Sequence, residues 1–379
     1  MTQDISHPPS YYAKKKFLKH KPAVFGLFFI ILAVIVAILG YLILPDSSPD
    51  ANEMTLQLNM LHPMSSIEVL KVRKDKNITS INVFNRMING EENPYTIIPL
   101  NSFKFNKDTL IIDVFTGLNN GKKLLKYYSI KDIIPPDSKA LSITEQEKEI
   151  EQHFITKKTF ILGTDEFGRD LFSRLLLGTR ISLFIGLIAV IISLLLGITM
   201  GALAGFFRGK VDAMVMWLTN VVWSIPTLLL VIAINMALGK GLWQVFVAVG
   251  LSMWVDVARL VRGQIFVIRE MEFIEASRAL GYRNFRIITK HILPNILGPV
   301  IVITAANFSS AILLEAGLSF LGMGVQPPMP SWGAMIKEYY GYIIFGEGYL
   351  SIIPGCAIIA LVLAFNFVGN GLRDAFERS

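Results

Sequence analysis

The sequence predicts an all-α polytopic membrane protein with six transmembrane helices and one polar insertion rich in β-strands. Composition is the first observation behind this fold class. Of the 379 residues, 53% are hydrophobic and only 17% are charged, and the mean hydropathy is +0.51, far from a soluble average. Run length is the second observation. Six apolar runs are long enough to cross a bilayer, at about residues 24–44, 181–206, 215–238, 243–263, 295–320 and 350–371.

The third observation is the distribution of lysine and arginine around these runs. Basic residues concentrate on alternate sides, as the positive-inside rule requires of cytoplasmic segments, and the short segments on the other side contain little more than Lys240 and Lys337. Both termini are therefore predicted to be cytoplasmic. The net charge of +7 is then explained by a lipid bilayer rather than by nucleic acid. The basic residues assigned to the cytoplasm are Lys14, Lys15, Lys16, Lys19, Lys21, Arg208, Lys210, Arg269, Arg278, Arg283, Arg286, Lys290, Arg373 and Arg378.

The first apolar run is predicted to be a retained transmembrane helix rather than a signal peptide. A secretory h-region is about 7–15 residues long and ends at small residues. This run is longer and ends in Leu44-Pro45 without such a site. Residues 1–23 are then a cytoplasmic tail, and residues 24–44 are transmembrane helix 1.

Residues 45–160 are polar, unlike the rest of the chain. Three stretches alternate apolar and polar residues, as half-buried strands do, and turn-forming residues separate them. We expect a small β-rich domain on the extracytoplasmic side; a partly ordered loop is the alternative. His153 is isolated and is expected to be a solvated surface residue. The alternating stretches are 66–72, 78–84 and 109–115, and the turn signals are Asn89-Gly90, Asn119-Asn120-Gly121 and Pro135-Pro136.

A polar, basic segment between the fourth and fifth runs has the residue types of a short docking helix. Phe273, Ala276 and Leu280 fall on one helical face, and the small residues at positions 276, 277 and 279 would let a partner approach closely. Gly281 can adopt the left-handed conformation that ends a helix. Pro294 is expected to start the next segment. The topology places the whole segment in the cytoplasm.

Residues 162–180, just before the second run, carry both an apolar stripe and several charges. We expect a helix that lies in the outer membrane interface before the chain turns into the second span. Asp165, Arg169 and Asp170 form its polar elbow. Two interpretations stay open: the elbow shapes the mouth of a translocation pathway or receives a binding protein, or it is structural and its charges pair locally. The stripe consists of Leu171, Phe172, Leu175 and Leu176.

Three residues within the predicted spans are candidates for a substrate pathway: Glu315, Ser224 and Pro226. An ionisable residue at membrane depth is costly and is a functional-site candidate for that reason. Glu315 could attract a cationic group, or it could pair with a neighbour near the outer end of its helix. Proline removes a backbone hydrogen bond, so the Ser-Ile-Pro sequence is expected to kink the third span, either as a hinge or as an ordinary kink.

Other residues in the spans are given structural roles. Asp256 and Arg259, three positions apart and near the cytoplasmic end of the fourth span, are expected to form a local ion pair. Cys356, the one cysteine, is expected to be a buried small residue. Glycines spaced by four along the second span are expected to allow close helix packing; they are Gly197, Gly201 and Gly205.

The sequence lacks the motifs of an ATPase or a hydrolase. It contains no G-x-x-x-x-G-K-[ST] that could hold nucleotide phosphates, no H-E-x-x-H and no G-x-S-x-G. We therefore expect no catalytic residue, no metal site and no cofactor in this chain. If transport is active, its energy comes from another subunit.

Three segments taken in order, 162–180, 275–294 and 315–332, resemble an ABC importer permease of the dipeptide/oligopeptide/nickel family, C-type subunit. The resemblance is loose over 1–45 and close over 160–379. It implies the type I ABC importer permease fold, with a permease core at 161–379. It also implies an EAA-type coupling loop at about 270–294 that fits a groove on an ATPase. The residues that it assigns to coupling are Glu275, Ala276, Ser277, Gly281, Leu293 and Pro294.

The same resemblance implies partners and a location. The partners are two ATP-binding subunits or domains, which bind ATP and Mg, a second, paralogous permease, and an extracytoplasmic solute-binding protein. The location is the bacterial plasma (inner) membrane. Ser277 replaces an alanine of the usual pattern, a change that should leave docking intact. Residues 46–160 are much longer than the usual linker.

Two other classes of protein are alternatives. A secondary transporter would need internal repeats and ion sites at broken helices, and no such repeat is evident in the sequence. A membrane-anchored sensor or assembly protein would use residues 46–160 as its working domain. The substrate is left open among dipeptides, longer peptides, nickel complexes and glutathione.

Overall fold

The computed structural model describes residues 9–74, 82–117, 123–135, 142–239 and 241–376. Within these ranges the strands are β1 (Ser65–Arg73), β2 (Tyr95–Asn106), β3 (Thr109–Val114), β4 (Leu125–Ser129) and β5 (Ile155–Phe160). The α-helices are α1 (Pro9–Lys19), α2 (Lys21–Leu39), α3 (Val83–Asn89), α4 (Ile130–Ile133), α5 (Ile143–Glu149), α6 (Leu171–Phe207), α7 (Gly209–Trp223), α8 (Thr227–Leu238), α9 (Leu242–Ile268), α10 (Glu272–Ala279), α11 (Asn284–Arg286), α12 (Leu297–Phe320), α13 (Trp332–Tyr339) and α14 (Tyr349–Phe376).

Helical segments long and apolar enough to span a membrane make up nearly half of the chain. Helices α7 and α8 pass this test only as a pair, and they are bent by 93° at the break between them. The described residues thus contain five candidate spans, or six if the bent pair counts as one. The five are Lys21–Leu42, Leu171–Phe207, Leu242–Ile268, Asn284–Phe320 and Tyr349–Phe376.

Helix α6 corrects one prediction. The sequence predicts a separate interfacial helix before the second span, but residues 171–180 are the first turns of a single helix of 37 residues that continues into the span. The charge on Arg180 does not interrupt the helix, because its guanidinium donates to the carbonyl oxygens of Ala37 and Met87, both at 2.8 Å. These carbonyls belong to α2 and α3, so Arg180 ties three helices together.

Helices α6 and α9 pack closely along the glycines of α6. A Cβ atom on Gly197 would lie 2.4 Å from Cβ of Val257, and one on Gly201 would lie 2.5 Å from the carbonyl oxygen of Ala258. Gly205 is similarly crowded. Only glycine allows this approach of two backbones, and the prediction of close packing is confirmed.

Cys356 is exposed on α14, so the prediction that it is buried is wrong. Ile352 and Ile359 on the same helix are also largely exposed, at 59% and 58%. The outer face of a membrane helix meets lipid tails that are as apolar as leucine. Apolar sequence therefore does not distinguish the outer face from the packed one.

The polar region holds a five-stranded antiparallel sheet with the strand order β4-β3-β2-β1-β5. Strand β1 covers the predicted stretch 66–72, and β3 covers the predicted stretch 109–115 except for its last residue. The stretch at 78–84 is a wrong prediction where it can be checked, because Val83 and Phe84 begin α3; residues 78–81 lie outside the described residues. A stretch of seven residues with imperfect alternation is too short to decide between strand and helix. His153 is exposed, as predicted.

Helix α6 separates two ends of the molecule. The sheet lies at the end where α6 begins, since β5 leads through ten residues to Leu171. Helix α10 lies near the other end, because Arg278 stacks over Phe206 at 5.6 Å. At 1.5 Å per residue, the length of α6 places these ends about 55 Å apart.

Candidate functional site

Helix α10, the predicted docking helix, is attached to the rest of the chain by one face. Ile274 is fully buried in a cluster with Ile287 and Ile292. Ser277 is also buried, and its hydroxyl donates to the carbonyl oxygen of Phe273 at 2.7 Å. A small residue is required here because the helix lies directly on the cluster.

The end of α10 has the hydrogen bonds of a Schellman motif. Gly281 adopts φ +76°, and its N–H donates to the carbonyl oxygen of Arg278 at 2.9 Å. The N–H of Tyr282 donates to the carbonyl oxygen of Ser277 at 3.2 Å. The left-handed turn predicted at Gly281 is therefore present.

The other face of α10 is open. Glu275 and Ala276 are exposed, Leu280 is 70% exposed and Phe273 is 41% exposed. Phe285, just after the turn, is 78% exposed. Large apolar side chains grouped on one surface, with charges beside them, are typical of a protein–protein interface.

The base of α10 is fixed to the ends of two long helices. Arg208, at the end of α6, pairs with Glu270 after α9 at 2.6 Å. Arg269 and Arg278 both stack over Phe206, at 5.8 and 5.6 Å. Burial and the two neighbouring arginines lower the pKa of Arg269. A displacement of α10 would therefore reach α6 and α9 directly.

Pro294 lies at the start of a new segment, the 3-10 turn Leu293–Ile296, as predicted, but no break separates this segment from the residues before it. The chain is helical from Asn284 to Phe320, through a π-helical turn at Ile287–Ile292 and a 3-10 turn at Leu293–Ile296. These two irregular turns accommodate the missing N–H of proline. Leu293 packs on the cluster below α10, whereas Pro294 is exposed.

The predicted outer elbow is a buried charge network. Asp165 and Arg169 are 0% and 3% exposed, and Arg169 Nε donates to Asp165 Oδ2 at 2.6 Å. The same guanidinium reaches Glu338 at 2.5 Å, and Arg174 lies 3.3 Å from the other oxygen of Glu338. Tyr339 donates its hydroxyl to Asp165 at 2.8 Å. Two arginines thus meet two carboxylates, which offsets part of their desolvation; Nε and Nη1 of Arg174 have no hydrogen-bond partner among the described residues.

Further contacts fix this elbow. Asp170 caps α6 by accepting a hydrogen bond from the backbone N–H three residues on, at 2.9 Å. Tyr342 donates to Glu166, and this bond, with burial and the nearby carboxylates, raises the pKa of Tyr342 to about 12. Gly168 adopts φ +72°, and a Cβ there would lie 1.9 Å from the carbonyl oxygen of Thr55. The local pairing that the sequence suggests, Asp165 with Arg169, is one part of a network that also includes α13.

A cavity of about 430 Å³ lies beside the break between α7 and α8. Pro226 contributes to its wall from the break, Ser252 and Asp256 from α9, and Asn307 and Ser310 from α12. The kink predicted at this proline is confirmed as a complete break of 93°. The break leaves room for polar groups at a depth where a continuous span would pack against its neighbours.

The other two pathway candidates do not line this cavity. Glu315 is fully buried and accepts a hydrogen bond from the Ser319 hydroxyl at 2.7 Å. Ser331, at the start of α13, donates to Ser319 at 3.3 Å, so this carboxylate holds α13 against α12. The hydroxyl of Ser224 donates to the carbonyl oxygen of Val221 in its own helix. Contact of either residue with a substrate stays a prediction.

Asp256 and Arg259 do not form the predicted ion pair. Arg259 instead donates to Asn220 Oδ1 at 2.7 Å, and its guanidinium lies 4.1 Å from the centre of the Trp223 ring. Both partners belong to α7, and the ring adds a cation–π attraction that Asp256 cannot offer. Asp256 lies in the middle of α9: at 1.5 Å per residue it is about 20 Å from either end of the helix.

Taken together, these features define a class: helical membrane proteins with a short, partly exposed helix at one end of the bundle and a cavity beside a broken span. The chain belongs to the family of binding-protein-dependent transport system inner membrane components. The description of this family, "Binding-protein-dependent transport system inner membrane component", matches residues 197–379. A second description, "N-terminal TM domain of oligopeptide transport permease C", matches residues 9–63.

Similar curated proteins are permeases of bacterial transport systems. The dipeptide transport system permease protein DppC of Bacillus subtilis is 37% identical over 257 residues, which cover 68% of this chain and 80% of that protein. The glutathione transport system permease protein GsiD of Pectobacterium atrosepticum is 41% identical over 57% of this chain and 71% of its own length. Among solved structures, the inward-facing methionine ABC transporter MetNI has a TM-score of 0.45 at 22% identity, over 54% of this chain and 97% of that chain.

Proposed function

We propose that this chain is a permease subunit of an ATP-driven ABC importer, that it forms half of the pathway for peptides or similar small solutes, and that a separate ATPase drives it through α10. Family membership supports the transporter class. The coupling role is carried by one observation: α10 exposes an apolar and charged face while its base is fixed to α6 and α9. A surface of this kind can receive force from outside the chain and pass it to the membrane helices.

The partners follow from the same arrangement. Two ATP-binding subunits or domains would hold ATP and Mg, and one of them would bind α10. A second, paralogous permease would close the cavity beside α7 and α8, which is open in a single chain. A solute-binding protein would deliver its solute at the Leu171 end of α6, where the sheet lies, about 55 Å from α10 along that helix.

A membrane topology completes the proposal. With the bent pair α7–α8 as one span, six spans place both termini and α10 in the cytoplasm of a bacterium and the chain in its plasma (inner) membrane. The sheet domain then lies outside. The basic residues around α10, among them Arg278, Arg283 and Arg286, agree with this orientation under the positive-inside rule.

Relatives support peptides as the substrate class. Their names specify dipeptides, oligopeptides and glutathione, which share an α-ammonium group, a carboxylate and amide bonds. We assign this shared chemistry, and no individual compound, to the solute of this chain.

The coupling proposal is tested by Glu275→Arg, which reverses a charge on the open face of α10. We expect the variant to insert normally, and expect its binding to the ATPase to weaken at least about tenfold, equivalent to ~1.4 kcal/mol. Solute uptake should fall with it. The measurements are copurification of the ATPase from solubilised membranes and uptake by whole cells.

The matched control is Glu151→Arg, the same change on an exposed residue of the sheet domain. It should affect neither copurification nor the membrane level of the protein. Two results together would contradict the proposal that this chain is a subunit of an ATP-driven importer: uptake at the wild-type rate by the Glu275→Arg variant, and no ATPase copurifying in any sample.

A further inference from the structure

The cavity beside the α7–α8 break contains a carboxylate without a partner. Asp256 lines this cavity and is exposed in the single chain. Among the residues that the structure describes, none donates a hydrogen bond to its side chain, and no lysine, arginine or histidine nitrogen lies within 4 Å of it. Arg259, one turn away, is held by Asn220 and Trp223 instead.

Three other acidic residues in or beside the spans each have at least one hydrogen-bond or ion-pair partner, although Glu315 Oε2 has none among the described residues. Asp212 in α7 forms a two-point pair with Arg262 of α9, at 2.5 and 2.7 Å. Glu270 pairs with Arg208, and Glu315 accepts from a buried serine. Asp256 differs from all three because no described residue donates a hydrogen bond to its carboxylate or forms an ion pair with it.

An unpaired charge is costly at the position of Asp256, within a membrane-spanning helix. A charged side chain at the centre of a bilayer costs about 2.5–3.5 kcal/mol on insertion scales, and such residues face a cavity or a partner rather than lipid. Asp256 lies about 20 Å from either end of α9, in the middle of a helix that is long and apolar enough to span a bilayer. The cavity of about 430 Å³ is large enough to hold water and part of a small solute in front of the carboxylate.

We infer that Asp256 is a cation-binding point in the translocation pathway, where its carboxylate receives the α-ammonium group of a passing peptide. The inference rests on the proposed function, because it assigns a substrate contact to the proposed pathway. An ammonium–carboxylate hydrogen bond is charge-assisted and is stronger than a neutral one. A single such contact in an open cavity is also weak enough to release the solute, as conduction requires.

Neighbouring side chains of the cavity suit this role. Ser252 is engaged with a backbone carbonyl of its own helix, at 2.7 Å from Val249. Asn307 donates to Ser193 at 3.3 Å. Neither competes for the carboxylate, so Asp256 supplies the one free charge on the part of the wall that the structure describes.

The test compares Asp256→Asn and Asp256→Glu in the complete transporter reconstituted with its ATPase, second permease and binding protein. The probes are tri-alanine and N-acetyl-tri-alanine, which lacks the ammonium charge. We expect Asp256→Asn to lower tri-alanine uptake at least about tenfold, equivalent to ~1.4 kcal/mol, and Asp256→Glu to retain most of it. Ser310→Ala, on the same cavity wall, is the control and should be close to wild type. The ratio of wild-type to Asp256→Asn uptake should fall to about one for the acetylated probe.

Each other outcome overturns the inference in a recognisable way. Uptake of tri-alanine at the wild-type rate by Asp256→Asn would show that the carboxylate does not contact the peptide in the pathway. An equal loss for both probes, or loss of the second permease from the purified Asp256→Asn complex, makes Asp256 a structural residue of the assembly. A wild-type complex that contains its ATPase but transports no tri-alanine refutes the ammonium ligand. Failure of the proposed function is distinct from these, because then no ATPase copurifies with the wild type.

Discussion

The two ends of α6 carry charged segments of opposite character. At the Leu171 end, Asp165 and Arg169 are buried and paired with α13. At the other end, Glu275 on α10 is exposed, and so are its apolar neighbours Phe273 and Leu280, at 41% and 70%. Both segments are polar and lie beside a membrane span, so their sequences look equally suited to binding. Only burial separates a segment that holds the fold together from one that is available to another protein.

This difference in burial also predicts which segment contributes to the stability of the fold and which one is available for coupling to a partner. The outer elbow links α6, α13 and the chain before β1, and its hydrogen bonds are made within the molecule. Helix α10 buries only Ile274 and Ser277, and Arg278 adds a contact with the Phe206 ring. Substitutions at the elbow should therefore change folding, and substitutions on the open face of α10 should change association.

The largest effect is expected for Arg169→Met, which keeps the side-chain volume but removes the charge. Asp165 is fully buried and would lose its closest cation, and breaking a buried ion pair by removing one partner costs about 3–5 kcal/mol. The measurement is the free energy of unfolding in detergent micelles, from denaturant titration of the purified protein.

Arg208→Met at the opposite end of α6 is the matched comparison. Its pair with Glu270 is 2.6 Å long, but both side chains are largely exposed, at 42% and 65%. An exposed pair contributes about 1 kcal/mol or less. Equal losses for the two variants would show that burial of the elbow does not matter, and would remove the contrast drawn above.

A smaller effect is expected from placing alanine at two glycines that share a left-handed conformation. Gly168 has φ +72° and Gly281 has φ +76°, so each alanine costs about 1–2 kcal/mol in backbone strain. At Gly168 the new Cβ would also meet the carbonyl oxygen of Thr55 at 1.9 Å, which adds about 1–3 kcal/mol. At Gly281 no atom lies within 4 Å of it among the described residues.

Thermal unfolding of the two variants, followed by size-exclusion chromatography of heated samples, ranks these costs. Gly168→Ala should unfold at a clearly lower temperature than Gly281→Ala. The reverse order would mean that the elbow relaxes around the extra methyl group, and that its close contact with Thr55 is not a fixed feature.

Several local features could be predicted because their cause lies in adjacent residues. Gly281 ends α10 through the conformation that favours glycine, Pro226 breaks a span because it lacks an N–H, and the glycines of α6 allow contact with α9. The polar residues between the fourth and fifth apolar runs also predicted the position of α10. In each case the sequence signal lies within about four residues or one helical repeat, even where the contact that it allows, as between α6 and α9, is distant in the chain.

Long-range partners could not be predicted. A buried arginine needs an acid, but nothing in the sequence near Arg169 indicates that Glu338 supplies it from 169 positions away. The same limit explains the wrong pair at Asp256, since Arg259 turns to residues of another helix. Cys356 shows a different limit, because lipid and protein cores favour the same apolar side chains.

The smallest effect on folding is expected for Leu280→Ser, which should have a large effect on association. Leu280 is 70% exposed in the chain, and surface substitutions usually change stability by no more than about 0.5 kcal/mol. If its side chain is covered by the ATPase, losing that contact removes about 1.5–3 kcal/mol of burial. The dissociation constant of the ATPase should then rise at least about tenfold, as measured with both proteins in lipid nanodiscs. Leu125→Ser, at an exposed leucine of β4, should leave both quantities unchanged. A Leu280→Ser variant that binds the ATPase normally would move the docking surface away from α10, and the open face would then need another explanation.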